Sequence, residues 1–86
     1  MQPVLSVVIP VYNEGPNIEP TLKSLSQSLA VPYEVLIVYD FEGDSTLPVA
    51  KSLTTAYPMM RLVKNDVHRG PSGAIRAGIK NAKAPR

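Results

Sequence analysis

Leu5-Ser6-Val7-Val8-Ile9-Pro10-Val11-Tyr12-Asn13-Glu14 is the stretch that decides how this chain folds. Its first half is a run of Val and Ile with the near-continuous apolar character of a parallel strand covered on both faces. At Pro10 the run breaks into a loop carrying an aromatic ring, an amide and a carboxylate. A second apolar run, Val35-Leu36-Ile37-Val38-Tyr39, ends the same way in Asp40. In open parallel sheets, ligands bind where strand C-termini release the chain into loops. The two strand ends are therefore expected to deliver their polar groups to one shared pocket.

Working outward, strands alternate with helical patterns. The first strand is predicted over Leu5 to Pro10 and a helix over Asn17 to Leu29, where Ile18, Leu22, Leu25 and Leu29 form one apolar stripe. Asn17 is the predicted cap, Pro20 falls in the first turn, and Val31-Pro32 stops the helix. The second strand is predicted over Glu34 to Tyr39 and a second helix over Thr46 to Tyr57, with Pro48 in its first turn and Pro58 closing it. Met60 to Lys64 reads as a shorter third strand. Gly70-Pro71-Ser72-Gly73 then introduces a last helix, with Ser72 as cap and Ile75, Gly78, Ile79 and Ala82 as its inner face. Right-handed crossovers make this an α/β fold, a three-layer α/β/α sandwich with a parallel sheet in the order 3-2-1. That order leaves the first strand at an edge, although its composition expects burial. A missing fourth strand beside it, and hence a fragment, is the expectation.

The 86 residues allow one small domain, and 44% hydrophobic content is enough for a core. With no cysteine there is no disulfide framework and no thiolate metal cluster. The longest apolar stretch falls far short of the roughly 20 residues a membrane helix needs. The N-terminus also lacks the pattern of a signal peptide, so the chain is expected in the cytoplasm. The net charge of +2 hides an asymmetry, −3 through Val63 and +5 from Lys64 onward. The basic third either attracts phosphate or is a solvated helix face. Neither a recognition motif nor interleaved aromatics accompany it, so sequence-specific nucleic-acid binding is not expected.

Three blocks carry a resemblance: Val7 to Glu14, Glu34 to Asp40 with Asp44-Ser45-Thr46, and Arg69-Gly70-Pro71-Ser72-Gly73-Ala74-Ile75-Arg76-Ala77-Gly78. In order and spacing they resemble the N-terminal, Rossmann-like nucleotide-binding half of family 2 glycosyltransferases of the GT-A fold, in particular the dolichol-phosphate mannose synthase-like branch. The resemblance covers essentially all of residues 1–86. It implies a nucleotide-sugar-binding portion of a sugar-transferring enzyme that uses a UDP- or GDP-sugar donor and, in this branch, a polyprenyl-phosphate acceptor at the cytosolic face of a membrane. Where the family commonly has two consecutive aspartates at the end of the second strand, this chain has Tyr39 and Asp40. The family's Asp-X-Asp metal motif, which holds Mg²⁺ or Mn²⁺, follows the next strand, beyond Arg86. The resemblance thus implies no catalytic or metal-binding residue here and an inactive fragment.

The candidate nucleotide-sugar-binding residues are Pro10, Tyr12, Glu14, Asp40 and Arg69. Asp40 is expected to accept hydrogen bonds from a base; its structural alternative is to cap the following loop or the helix at Thr46. Tyr12 either packs against the base or lids the core. Glu14 binds base or ribose, or sits solvated at a helix N-terminus. Asn13 organises its own turn. Arg69 with Gly70 and Gly73 reads as an anion cradle or as a tight turn. No Walker loop and no Gly-x-Gly-x-x-Gly follows the first strand. Asp40, Glu42 and Asp44 alternate along a loop without reason to converge on a metal, and His68 reads as an exposed loop residue. Two other function classes stay open: a non-catalytic nucleotide-binding module, and an α/β interaction module that self-associates or recruits a partner through the first-strand edge.

Overall fold

The computed structural model describes residues 3–67 and 70–85. Strand β1 (Leu5–Pro10), helix α1 (Gly15–Ser28), strand β2 (Tyr33–Tyr39), helix α2 (Thr46–Ser52), strand β3 (Met60–Lys64) and helix α3 (Pro71–Asn81) follow one another in strict alternation. The sheet is parallel with β2 in the centre, as the sequence predicts. Val7 pairs with Val35 and Ile9 with Ile37; on the other side Ile37 pairs with Leu62.

The apolar run of β2 is divided between two cores. Val35 and Ile37 join Val11, Ile18, Leu22, Ala50 and Met60 under α1 and α2. Leu36 and Val38 join Val63, Ala74 and Ala77 under α3, with Val8 packed against them. All four central β2 residues are fully buried, each a gain of about 1.5–3 kcal/mol over an exposed side chain. The sandwich thus has its three layers, and β1 lies at an edge of the sheet.

Three element readings change. Helix α1 starts at Gly15, two residues early, and Gly15 packs directly on the β2–α2 loop: a Cβ there would lie 2.9 Å from the Ser45 carbonyl oxygen. Pro20 consequently falls beyond the first turn, and Asn17 is no cap; its amide donates to Glu14 Oε2 at 2.9 Å. Helix α2 stops at Ser52 rather than Tyr57, and turns carry the chain to Pro58. Here the hydroxyls of Ser52 and Thr54 donate to the carbonyls of Val49 and Lys51, local bonds that compete with the helical ladder. Helix α3 is capped at Gly70 (φ 105°), not at Ser72, and turns Ala74 and Ala77 inward while Ile75 and Ile79 are exposed. Small residues win this face because the helix lies close on the sheet, where a Cβ on Gly78 would overlap Val8 Cγ1.

Candidate functional site

All three strands end at one level. The Val11 amide donates to the Val38 carbonyl at 3.0 Å, and the Asn65 amide to the Tyr39 carbonyl at 2.8 Å. Tyr12 and Asp40 therefore leave the sheet side by side. A cleft of about 360 Å³ opens between them, lined by Pro10, Val11, Tyr12, Glu14, Asp40, Gly70 and Ala74. A second lobe of about 400 Å³ adjoins it, between Tyr12, Asp40, Phe41 and Gly70. Both fall in the size range of small-ligand sites.

Side-chain direction explains the division of labour at the end of β2. Tyr39 packs against the core under α1 and α2, so the position where the family resemblance expects an aspartate faces away from the cleft. Alternation turns the next residue, Asp40, to the cleft side. Asp40 Oδ1 accepts from Asn65 Nδ2 at 2.7 Å and Oδ2 from the Gly70 amide at 3.2 Å. A carboxylate offers about four acceptor positions, so both oxygens keep capacity for a ligand. Asp40 does not cap the helix at Thr46; Asp44 does, its Oδ1 accepting from the Thr46 amide at 2.7 Å.

Tyr12 is 68% exposed and does not lid the core. Its ring is tilted 52° to that of Phe41, with centroids 5.8 Å apart. Glu14 is half-buried at the head of α1, where its amide donates to Thr46 Oγ1 at 2.8 Å. Asn13 ties down the other loop rather than its own: its Oδ1 accepts from the Ser45 amide at 2.9 Å, and its amide donates to Asp44 Oδ1 at 3.0 Å. Burial raises the Asp44 pKa, but the bonds from Thr46 and Asn13 outweigh it and hold the carboxyl below its usual value.

Pro10, Tyr12, Glu14 and Asp40 are thus brought together. Arg69 and His68 lie outside the described residues, although Gly70, next to Arg69 in sequence, lines both lobes. The sequence reading missed Val11, Ala74 and Phe41. Phe41 had a usable signal, being an aromatic residue in a polar loop directly after Asp40.

Among the described residues, no group of three or more His, Cys, Asp or Glu side chains is placed to hold a metal ion. The three loop carboxylates are occupied separately: Asp40 as above, Glu42 with Lys64 Nζ at 3.1 Å, and Asp44 inside the loop pair. These described residues do not fit an Mg²⁺ or Mn²⁺ site.

The glycosyl transferase family 2 profile matches residues 6–85. Over 83 residues the chain is 36% identical to the glycosyltransferase AglE of Haloferax volcanii, covering 93% of this chain and 27% of that protein. It is 33% identical over 79 residues to the dolichol-phosphate mannosyltransferase of Pyrococcus furiosus, covering 91% and 22% respectively. In structure it resembles the mannosyltransferase PcManGT of Pyrobaculum calidifontis, solved with GDP-Man and Mn²⁺. The TM-score is 0.77 at 26% identity, over 95% of this chain and 25% of that one. The chain spans about a quarter of the length of the relatives it matches.

Proposed function

From the premise that this chain belongs to glycosyl transferase family 2, we propose that residues 1–86 are the donor-binding portion of an enzyme that transfers a sugar from a UDP- or GDP-sugar. The observation that carries this reading is the convergence of Tyr12 and Asp40 on one cleft at the C-terminal rim of β1 and β2. In it, the Tyr12 ring packs on the base while Asp40 accepts an N–H from the base edge, a charge-assisted and directional contact. Glu14 reaches the ribose hydroxyls. Helix α3 opens at the cleft with its N-terminal end, the end that favours phosphate, and Arg69 adds positive charge for the diphosphate.

The acceptor in this proposal is a polyprenyl phosphate, in keeping with the dolichol-phosphate mannosyltransferase among the relatives. The enzyme would act at the cytosolic face of a membrane. No helix among the described residues is long and apolar enough to cross one. The chemistry of transfer, including any Mg²⁺ or Mn²⁺, belongs in this reading to elements other than these residues, which alone hold the donor without transferring its sugar.

Calorimetric titration with UDP, GDP and their sugars tests the proposal. Binding of at least one is expected, and no heat from any of them at millimolar protein overturns it. A second reading rests on the edge position of β1, which offers a strand for pairing. Association that rises with concentration and ignores nucleotide favours it over the donor cleft.

A further inference from the structure

Asp44 lines neither lobe of the cleft and is only 1% exposed, the most buried acid among the described residues. One oxygen, Oδ1, takes two amides: Thr46 from its own loop and Asn13 from a loop 31 positions earlier. The other, Oδ2, is buried with no hydrogen-bond partner among the described residues. A carboxylate is a costly choice for capping α2 alone, because the buried second oxygen loses its water. Serine caps a helix as well and has no such oxygen. It is, however, one atom shorter and does not span to the Asn13 amide.

The bond across the loops accounts for the carboxylate. Asn13 adjoins Tyr12 and stands at φ 52°, a left-handed conformation that needs support from its surroundings. That support comes from three bonds between the two loops: Asn13 amide to Asp44, Ser45 amide to Asn13 Oδ1, and Glu14 amide to Thr46 Oγ1. We propose that Asp44 is a positioning residue for the donor cleft, clasping the β1–α1 loop to the β2–α2 loop so that Tyr12 and Asp40 keep a fixed separation before nucleotide arrives. This rests on the nucleotide reading of the cleft and adds to it a residue that touches no ligand.

The test compares Asp44→Ser with Asp44→Asn in the full protein. Asparagine keeps an acceptor at Oδ1 for both amides, whereas serine keeps the cap and drops the clasp. Two readouts are taken, hydrogen exchange of residues 11–15 and calorimetric affinity for GDP and UDP. For Asp44→Asn, both stay within about threefold of wild type. For Asp44→Ser, the melting temperature stays close to that of Asp44→Asn while exchange over residues 11–15 accelerates. Nucleotide affinity then falls about tenfold, as expected if the loop holds its binding geometry only a tenth of the time. Asn13→Gly keeps the left-handed backbone and removes the Ser45 bond, and should shift both readouts in the same direction. Wild-type binding retained in Asp44→Ser, or unchanged exchange at residues 11–15, overturns the positioning role alone. A wild-type protein that binds neither nucleotide ends the donor-cleft reading as well.

Discussion

Asp40 has two possible effects on nucleotide affinity, one through its own carboxylate and one through the loops it ties, and substitution separates them. Asp40→Ala removes the bonds from Asn65 Nδ2 (2.7 Å) and the Gly70 amide (3.2 Å). Both donors are partly buried and rehydrate in part, so the fold loses about 3 kcal/mol, the low end for two bonds to a charged acceptor. The proposed contact to the base would be lost in addition, at about 1.5–3 kcal/mol, or roughly tenfold to 150-fold in affinity. Asn65→Ala is the control, because it breaks the tie at Oδ1 and leaves the carboxylate in the cleft. Calorimetric titration of both variants with the nucleotide that wild type binds best should give a large loss for Asp40→Ala and at most about threefold for Asn65→Ala. Equal losses would mean that Asp40 acts only through the β3–α3 connection. Unchanged affinity in Asp40→Ala would remove it from the site.

Two further outcomes follow from packing and charge. Gly78→Ala gains about 1 kcal/mol of helix propensity but drives a methyl against Val8 on β1, where overpacking costs about 1–3 kcal/mol. Urea denaturation should therefore show a net loss of about 1 kcal/mol, and a stabilised variant would refute the close approach of α3. Burial raises the Glu34 pKa, but bonds from the Ser6 hydroxyl, the Lys83 amide and the Arg61 guanidinium hold it below its ordinary value. A depressed carboxyl contributes stability above its unfolded pKa and loses it as pH falls through the folded one. The melting-temperature gap between wild type and Glu34→Gln should be full near neutrality and close below about pH 4; a gap that widens in acid contradicts the assignment.

Strand order and the shared rim were legible because both follow from short-range signals. Two buried runs ending in polar loops, with helical patterns between them, leave few right-handed parallel arrangements. The inner face of α3 was read correctly at Gly78 but misread at Ile75 and Ile79, for a reason that periodicity cannot cure. Counting large apolar residues selects Ile75 and Ile79, whereas the sheet admits only Ala74, Ala77 and Gly78 at close range. The loop pair was hidden differently. Asn13 bonds to Ser45 over 32 positions and Asp44 to Asn13 over 31, and no local pattern announces such partners.

The same concealment applies at the opposite pole of the sheet, and the two cases explain each other. Glu34, at the start of β2, is 6% exposed; its Oε2 accepts from Ser6 on β1 at 2.6 Å and from the Lys83 amide beyond α3 at 2.5 Å. Arg61 on β3 donates to its Oε1 at 3.3 Å and also to the Asn81 carbonyl at the end of α3. Each buried acid therefore collects donors from separate segments, Asp44 where chains leave the strands and Glu34 where they enter. Apolar packing is tolerant of small substitutions, while a buried carboxylate that serves several donors holds them in one arrangement. In a sheet of three short strands, these two acids bond together segments far apart in sequence. The Asp44 tie does so within the loops that carry the cleft. The consequence is separable in experiment: substitutions at Glu34 should move stability without moving nucleotide affinity, because among the described residues the two sites share no hydrogen-bond partner.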